Sequence, residues 1–165
     1  MVGSKEFVII RNFNAPPDLV YKVWTTPEHF KRWYGPKGGG MVTKAEFDIR
    51  PGGVSYLSMQ IPQGPILALK WTYEVVEPSR RLVWSGHCID EKGEITRHFI
   101  PMWPLHIRTE VNFEQKGNQT QVTFKWIPID AKTEEMEAFV KGFEGATAGW
   151  NGSFEKLDAY LQELK

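Results

Sequence analysis

The sequence predicts an α+β fold in which a curved antiparallel sheet of six to seven strands surrounds one long C-terminal helix. Three patterns support this prediction: two short helices follow the first strand, the middle of the chain alternates apolar and polar residues, and the C-terminal part repeats apolar residues at helical spacing. We expect residues 1–165 to form a single domain, because no linker or internal repeat divides the chain and its length suffices for one core.

Residues 15–36 encode the two short helices. Pro16 and Pro17 set φ for the first turn of the first helix, where the amide groups have no intrahelical partner. In the second helix Thr26 is the predicted N-cap, and Pro27 sets φ for the first turn. Each helix carries one apolar face, formed by Val20, Val23 and Trp24 in the first and by Phe30, Trp33 and Tyr34 in the second. Helices this short are marginal in water, so we expect both to pack on a sheet.

Period-two alternation of apolar and polar residues predicts the strands. Turn-forming residues, among them Pro51-Gly52-Gly53 and Lys116-Gly117-Asn118, separate them. The inward residues of the seven strands are, in order, Phe7 and Ile9; Ala45, Phe47 and Ile49; Ser55, Leu57, Met59 and Ile61; Leu67, Leu69, Trp71, Tyr73 and Val75; Leu82, Trp84, Gly86 and Cys88; Leu105, Ile107, Thr109, Val111 and Phe113; and Val122, Phe124 and Trp126.

The C-terminal helix is predicted from roughly Thr133, as its cap, to Leu164. One apolar stripe at spacings of three and four consists of Met136, Phe139, Phe143, Ala146, Trp150, Phe154, Leu157 and Leu161. A second stripe consists of Gly142, Gly145, Gly149 and Gly152. Each glycine costs up to about 1 kcal/mol relative to alanine in a helix interior. A frayed or kinked helix accounts for this stripe, and a flexible lid over a cavity is the alternative.

Composition argues against several classes of function. Lys+Arg 20 equals Asp+Glu 20, so the basic excess of a nucleic-acid-binding protein is missing. The single cysteine, Cys88, forms no internal disulfide and fits a reducing compartment. The sequence shows neither an apolar run that could span a bilayer nor a signal-peptide core. We therefore expect a cytoplasmic monomer or homodimer without a membrane span and without a nucleic-acid partner.

The sequence contains no credible catalytic or metal-binding set, and we predict no catalytic residue, no metal and no cofactor. Metal-ligand spacing is missing among the four histidines, His29, His87, His98 and His106. His98 and His106 lie on either side of one interruption of the strand pattern, so these two could approach each other. Cys88 has no partner that marks a nucleophile, so we expect a buried, inert thiol. His98 is the histidine that could reach a cavity mouth as acid, base or hydrogen-bond donor.

The supply of aromatic residues, with Trp 7 and Phe 10, suggests a cavity between sheet and helix. A curved sheet cannot pack flush along one helix, so the gap is either filled by large side chains or left open. Each aromatic residue alone fits a core position, but Trp and Tyr also carry a polar group that an apolar interior leaves unsatisfied. The candidate ligand-binding residues are Met59, Trp71, Tyr73, Trp84, His98, Trp103, Trp126, Phe143 and Trp150.

An ordered set of short motifs spans nearly the whole chain. It comprises Phe7, Ala15-Pro16, Val20, Trp24-Thr25, Pro27-Glu28, Trp33, Gly35-Pro36, Phe47-Asp48-Ile49-Arg50-Pro51-Gly52-Gly53, the run from Tyr73 to Val83, Val111-Asn112-Phe113-Glu114, Gly149-Trp150, Phe154, Leu157 and Leu161. This set resembles the homologues of the activator of the ninety-kilodalton heat-shock protein ATPase, which belong to the START-like or helix-grip superfamily. The resemblance implies the helix-grip fold, which hosts ligand carriers, cyclases and co-chaperone segments.

Three functions are consistent with the sequence. The first is non-enzymatic binding or carrying of a small, mostly apolar molecule, whether lipid-like, aromatic or polyketide-like, between sheet and helix. The second is a protein-interaction module with a chaperone or another protein as partner. In the co-chaperone, a domain of this kind works beside a separate N-terminal domain, and this sequence begins at the first strand, so we rank this function second. The third is a polyketide cyclase-like enzyme, for which few polar residues point inward.

Overall fold

The computed structural model describes residues 5–165. Its elements are β1 (Phe7–Phe13), α1 (Pro17–Thr25), α2 (Pro27–Trp33), β2 (Met41–Glu46), β3 (Val54–Gln60), β4 (Ile66–Glu77), β5 (Arg81–Ile89), β6 (Ile95–Thr96), β7 (His106–Lys116), β8 (Gln119–Ile129), α3 (Thr133–Lys141) and α4 (Phe143–Glu163). The predicted α+β architecture, a curled antiparallel sheet around a long C-terminal helix, is confirmed.

The sheet has the strand order β1-β8-β7-β5-β4-β3-β2, and every pairing is antiparallel. The two-residue strand β6 pairs with β5 and lies off this path. Alternation did not predict β6, because two residues are too few to show a period. A register shift in β4 between Tyr73 and Val75 interrupts the predicted alternation there, and Val75 is only half-buried.

The two short helices pack on the sheet as predicted. The Trp33 indole N–H donates to the Val23 carbonyl oxygen at 3.0 Å, and the Trp24 and Trp33 ring centroids lie 4.8 Å apart, so α1 and α2 are held together by their buried faces. Thr26 occupies the N-cap of α2, but its side chain makes no capping hydrogen bond. The neighbouring Thr25 hydroxyl instead donates to the Tyr21 carbonyl oxygen at 2.9 Å.

The C-terminal helix is divided at Gly142 into α3 and α4, which agrees with the kinked helix suggested by the glycine stripe. It differs from the prediction at its start, because the N-cap is Lys132 rather than Thr133. The buried Glu135 carboxylate accepts the Lys132 backbone N–H at 2.9 Å, which closes the first turn of α3. A Cβ on Gly142 would lie 2.8 Å from Trp103 Cζ3, so the break coincides with a close approach of the loop before β7.

The dense part of the core lies beneath the second half of α4. Phe154 and Leu157 are fully buried there, and the Phe154 ring meets Phe13 of β1 edge-on at 5.3 Å between centroids. In the first half of α4, Gly145 is exposed and Gly149 is half-buried. The second half of α4 therefore packs closely on the sheet, whereas space remains between the first half of α4 and the sheet. Among the helices described over residues 5–165, none combines the length and apolarity required to cross a membrane.

Candidate ligand-binding cavity

A cavity of about 370 Å³ lies under the first half of α4. Its walls come from α4, from the loop between β6 and β7, from the segment after α2, and from β3 and β4. The lining residues are Tyr34, Gly35, Pro36, Met59, Ile61, Leu67, His98, Phe99, Ile100, Trp103, Trp126, Lys141, Gly142, Gly145, Ala146, Gly149, Trp150 and Ser153. We call this space the outer chamber. Its size falls in the range of small-molecule sites.

A second cavity of about 150 Å³, the inner chamber, extends toward the middle of the sheet. It shares Tyr34, Met59, Leu67, His98, Trp103, Trp126 and Trp150 with the outer chamber. Its remaining lining residues are Leu69, Trp71, Trp84, Gly86, His87, Cys88, Pro104, Leu105, Ile107, Thr109 and Phe124. Because the shared residues form a common wall, the two chambers are adjacent parts of one site.

The structure brings most of the predicted ligand-binding residues to this site. Met59, His98, Trp103, Trp126 and Trp150 line both chambers, and Trp71 and Trp84 line the inner one.

Two of the predicted residues lie elsewhere. Tyr73 lines neither chamber, and its hydroxyl accepts a hydrogen bond from Ser55 Oγ at 3.3 Å. Phe143 also lines neither, because its ring packs against Phe7 and Phe139 at 5.7 and 5.2 Å between centroids. Alternation and helical spacing assigned these two side chains to the cavity, but both make their contacts elsewhere in the core.

Tyr34 lines both chambers, although the sequence pattern placed it on the apolar face of α2 and not among the ligand-binding residues. Tyr34 lies at the C-cap of that helix with extended backbone, so its side chain leaves the helix face and reaches both chambers. The Gly35-Pro36 stop directly after it was the available signal, since a residue at a helix stop no longer follows the helical period. Burial raises the pKa of the Tyr34 phenol.

The inner chamber has flat aromatic walls. Trp71 and Trp84 stack with ring centroids 4.7 Å apart, and Trp150 lies 4.0 Å from Phe124 by the same measure. Gly86 allows this arrangement, because a Cβ there would lie 2.6 Å from Trp71 Cδ1. A planar molecule fits between such walls better than a bulky, branched one.

His98 lies where both chambers meet and presents a hydrogen-bond donor. Its Nδ1 accepts the Ile100 backbone N–H at 3.0 Å, so in the neutral ring the proton is on Nε2. Burial lowers the pKa of His98 to about 4, which keeps the ring neutral at physiological pH. His98 packs against Phe99 and Trp103, whereas His106 lies beside His87 with ring centroids 5.6 Å apart. The approach of His98 to His106 considered from the sequence therefore does not occur.

Besides the indole N–H groups and the His87 imidazole, the remaining polar side chains of the walls carry hydroxyls, a thiol and one amine. Ser153 Oγ accepts the Gly35 backbone N–H at 3.2 Å, and burial raises the pKa of the Cys88 thiol to about 11, which keeps it protonated at neutral pH. The two linings contain one lysine, the exposed Lys141, and no arginine. Neither lining contains an aspartate or glutamate. Within residues 5–165, no cluster of three or more His, Cys, Asp or Glu side chains is arranged to hold a metal ion.

Three of the four glycines in the predicted stripe line the outer chamber. A Cβ on Gly145 or Gly149 would meet nothing within 4 Å, so both positions open onto free space. Gly142 instead accommodates Trp103, and Gly152 packs on Lys37 outside the cavity. Two of the four glycines, Gly145 and Gly149, thus leave room beneath α4, while movement of this helix as a flexible lid stays a prediction.

An ion pair fixes the loop at the cavity mouth. Arg97 Nη1 donates to Glu135 Oε2 at 2.6 Å and lies 3.4 Å from the Trp103 carbonyl oxygen. Arg97 and the backbone N–H of Lys132 together lower the pKa of the Glu135 carboxyl. The loop that carries His98 and Trp103 is therefore tied to the start of α3.

Comparisons with known proteins agree with this architecture. The model of the family described as "Activator of Hsp90 ATPase homolog 1-like protein" matches residues 14–162. No curated protein matches the chain.

Several solved structures have the same fold. A Nitrosomonas europaea protein is 21% identical with a TM-score of 0.75, covering 96% of this chain and 94% of its own. A Mycobacterium smegmatis protein is also 21% identical with a TM-score of 0.77, covering 94% and 90%. A Staphylococcus epidermidis protein is 22% identical with a TM-score of 0.76, covering 100% and 94%. At these identities the similarity establishes the fold.

Proposed function

The chain belongs to the Activator of Hsp90 ATPase homolog 1-like family, and from its cavity we propose that it binds or carries a small, mostly apolar molecule between the sheet and α4. The observation that supports this most strongly is the outer chamber of about 370 Å³, which adjoins the aromatic inner chamber through a shared wall. The chamber opens to solvent beside the exposed Phe99 and Lys141, and its volume falls in the range of small-molecule sites.

Two features of the walls support binding rather than accidental looseness. Gly145 and Gly149 place no side chain between the helix backbone and the chamber, although alanine would stabilise the helix at both positions. Trp103 and Trp150 stay 8% and 6% exposed while lining the cavity, so apolar surface is available there away from bulk water. A chain under selection for packing alone gains from filling this space.

The second candidate is a protein-interaction module, for which the family description is the supporting observation. The exposed apolar side chains Phe99, Ile100 and Met102 at the cavity mouth are the surface that such a partner would contact. The two functions differ in what fills the cavity, because a protein partner would cover the mouth without occupying both chambers.

The test is a titration with hydrophobic flavonoid, polyketide-like and fatty-acyl probes. Binding is expected to quench tryptophan fluorescence, since Trp103, Trp126 and Trp150 line the outer chamber, and to raise the melting temperature by mass action. If no probe changes either signal, ligand binding is wrong and the interaction module takes first place.

A matched pair of helix variants locates the binding. Gly149→Leu places its side chain in the outer chamber, whereas Ala148→Leu adds the same side chain on the exposed side of α4. We expect Gly149→Leu to abolish the fluorescence and melting responses and Ala148→Leu to keep them. Equal responses from the two variants would place the probe outside this cavity.

A further inference from the structure

The polar groups on the cavity walls are mainly hydrogen-bond donors without partners. Tyr34 is 9% exposed and Thr109 is 4% exposed, and neither hydroxyl has a hydrogen-bond partner among residues 5–165. Both residues line the inner chamber. Neither oxygen is among the fully enclosed side-chain atoms that lack a partner, so both hydroxyls reach the open space of the chamber, where a ligand can bond them.

The indole groups show the same property. Of the tryptophans in the described part of the chain, Trp33 has its N–H bonded to a carbonyl, and Trp24 has its nitrogen enclosed without a partner. The other five are unpaired but not fully enclosed, so their nitrogens reach open space, and all five line the inner chamber: Trp71, Trp84, Trp103, Trp126 and Trp150. An indole N–H can only donate.

The walls carry more donors than acceptors, and little charge. In the inner chamber the acceptors are the Tyr34 and Thr109 hydroxyl oxygens and His87, whose Nδ1–H donates to the Cys88 carbonyl oxygen at 3.1 Å and leaves Nε2 with a lone pair. The linings contain no carboxylate, and Lys141, their one lysine, lies exposed at the mouth of the outer chamber. His98 adds a further N–H at the junction of the chambers. An alkyl chain in the inner chamber would leave these donors unpaired, whereas a flat ring carrying an oxygen acceptor could lie against the aromatic walls and accept from them.

We infer that the inner chamber selects an uncharged, planar aromatic molecule carrying a carbonyl or ether oxygen, held by the donors of Tyr34, Thr109 and the surrounding indoles. This inference rests on the proposed ligand-binding function and adds the chemical class of the ligand. It separates ligands by one property, the presence of an acceptor oxygen on the buried part of the molecule.

The test compares 9-fluorenone with fluorene, two flat molecules of nearly equal size that differ by one carbonyl oxygen. Dissociation constants from ligand-observed NMR should favour fluorenone by about tenfold, the worth of one well-placed hydrogen bond. Palmitate serves as the alkyl-chain comparison and should bind more weakly than fluorenone. A preference for fluorene or palmitate, or equal binding of fluorene and fluorenone, overturns the inference while leaving ligand binding intact.

Variants that remove single hydroxyls identify the donors. Tyr34→Phe and Thr109→Val each keep the side-chain shape, and at least one of them should reduce the fluorenone preference by a factor of about three or more. Tyr160→Phe is the matched control, because its buried hydroxyl lies 2.5 Å from His29 Nδ1 and lines neither chamber. An undiminished preference in both cavity variants would contradict the inference. Failure of every probe to bind would instead refute the proposed function itself.

Discussion

Trp103 occupies the space that a side chain on Gly142 would need: a Cβ there would lie 2.8 Å from Trp103 Cζ3. The two residues come from the loop before β7 and from the junction of α3 and α4. Gly142 has the ordinary helical φ of −80°, so its glycine is required by the neighbouring indole rather than by the backbone. The contact coincides with the junction of α3 and α4, and Trp103 lines the cavity beside it.

The first prediction compares two glycines of the same stripe. Gly142→Ala should lower the free energy of unfolding, because the rigid indole ring must move. Gly145→Ala should raise it by up to about 1 kcal/mol, because nothing lies within 4 Å of the new methyl group and alanine favours the helix. Urea denaturation of both variants measures the difference. Equal effects of the two substitutions would show that the contact with Trp103 is not tight.

The second prediction concerns the packing of Trp150. A fully packed tryptophan costs about 3–5 kcal/mol when truncated to alanine, and Trp33, which is 0% exposed and lines neither chamber, should show a loss of that size. Trp150→Ala should cost clearly less, about 1–3 kcal/mol, because part of its surface already faces a cavity. Chemical denaturation of the two variants decides this. A loss from Trp150→Ala that equals the loss from Trp33→Ala would indicate a filled site.

The third prediction is a dependence of stability on pH through His98. Its pKa is lowered from 6.5 to about 4 in the folded protein, so between these values the unfolded chain binds a proton that the folded chain does not. Stability should therefore fall as the pH drops from about 6.5 to 4. His98→Asn keeps an acceptor for the Ile100 N–H without titrating, and its stability should fall less over this range. Identical pH profiles for the two proteins would refute the assignment to His98.

The fourth prediction concerns the buried carboxylate of Glu135. Glu135→Ala removes the acceptor that closes the first turn of α3 at the Lys132 N–H and should cost about 0.5–2 kcal/mol of unfolding free energy, since water can solvate the exposed Arg97 in its place. The control Glu137→Ala removes an exposed carboxylate from the same helix and should stay within about 0.5 kcal/mol of the parent. Thermal or urea unfolding checks both. A neutral Glu135→Ala would mean that the loop at the cavity mouth is held by other contacts.

Local patterns predicted the parts of the fold that depend on sequence neighbours. Alternation identified the faces of the long strands, and the spacing of Phe154, Leu157 and Leu161 identified the buried stripe of α4. The break at Gly142 agrees with the kinked helix that the glycine stripe suggested, but the spacing could not show at which glycine it occurs. At Gly142 the helix also meets Trp103, a contact that is distant in sequence.

The sequence predicted which residues lie near the candidate site better than it predicted the direction of each side chain. Seven of the nine proposed residues line a chamber, because inward-facing aromatic residues on a curved sheet converge. Tyr73 and Tyr34 illustrate the limit: the hydrogen bond to Ser55 holds the first behind the wall, and the end of α2 turns the second toward it. Both outcomes depend on tertiary contacts that a one-dimensional period does not contain.

Native mass spectrometry tests the central claim, that the cavity beneath α4 holds a small apolar molecule, most directly. The protein is measured freshly purified and again after incubation with the probe panel, beside Gly149→Leu and Ala148→Leu. The expected result is a noncovalent small-molecule adduct on the parent and on Ala148→Leu, and none on Gly149→Leu, whose side chain projects into the outer chamber and obstructs it. A parent protein that carries no adduct under either condition, or an adduct that Gly149→Leu retains in full, would contradict it.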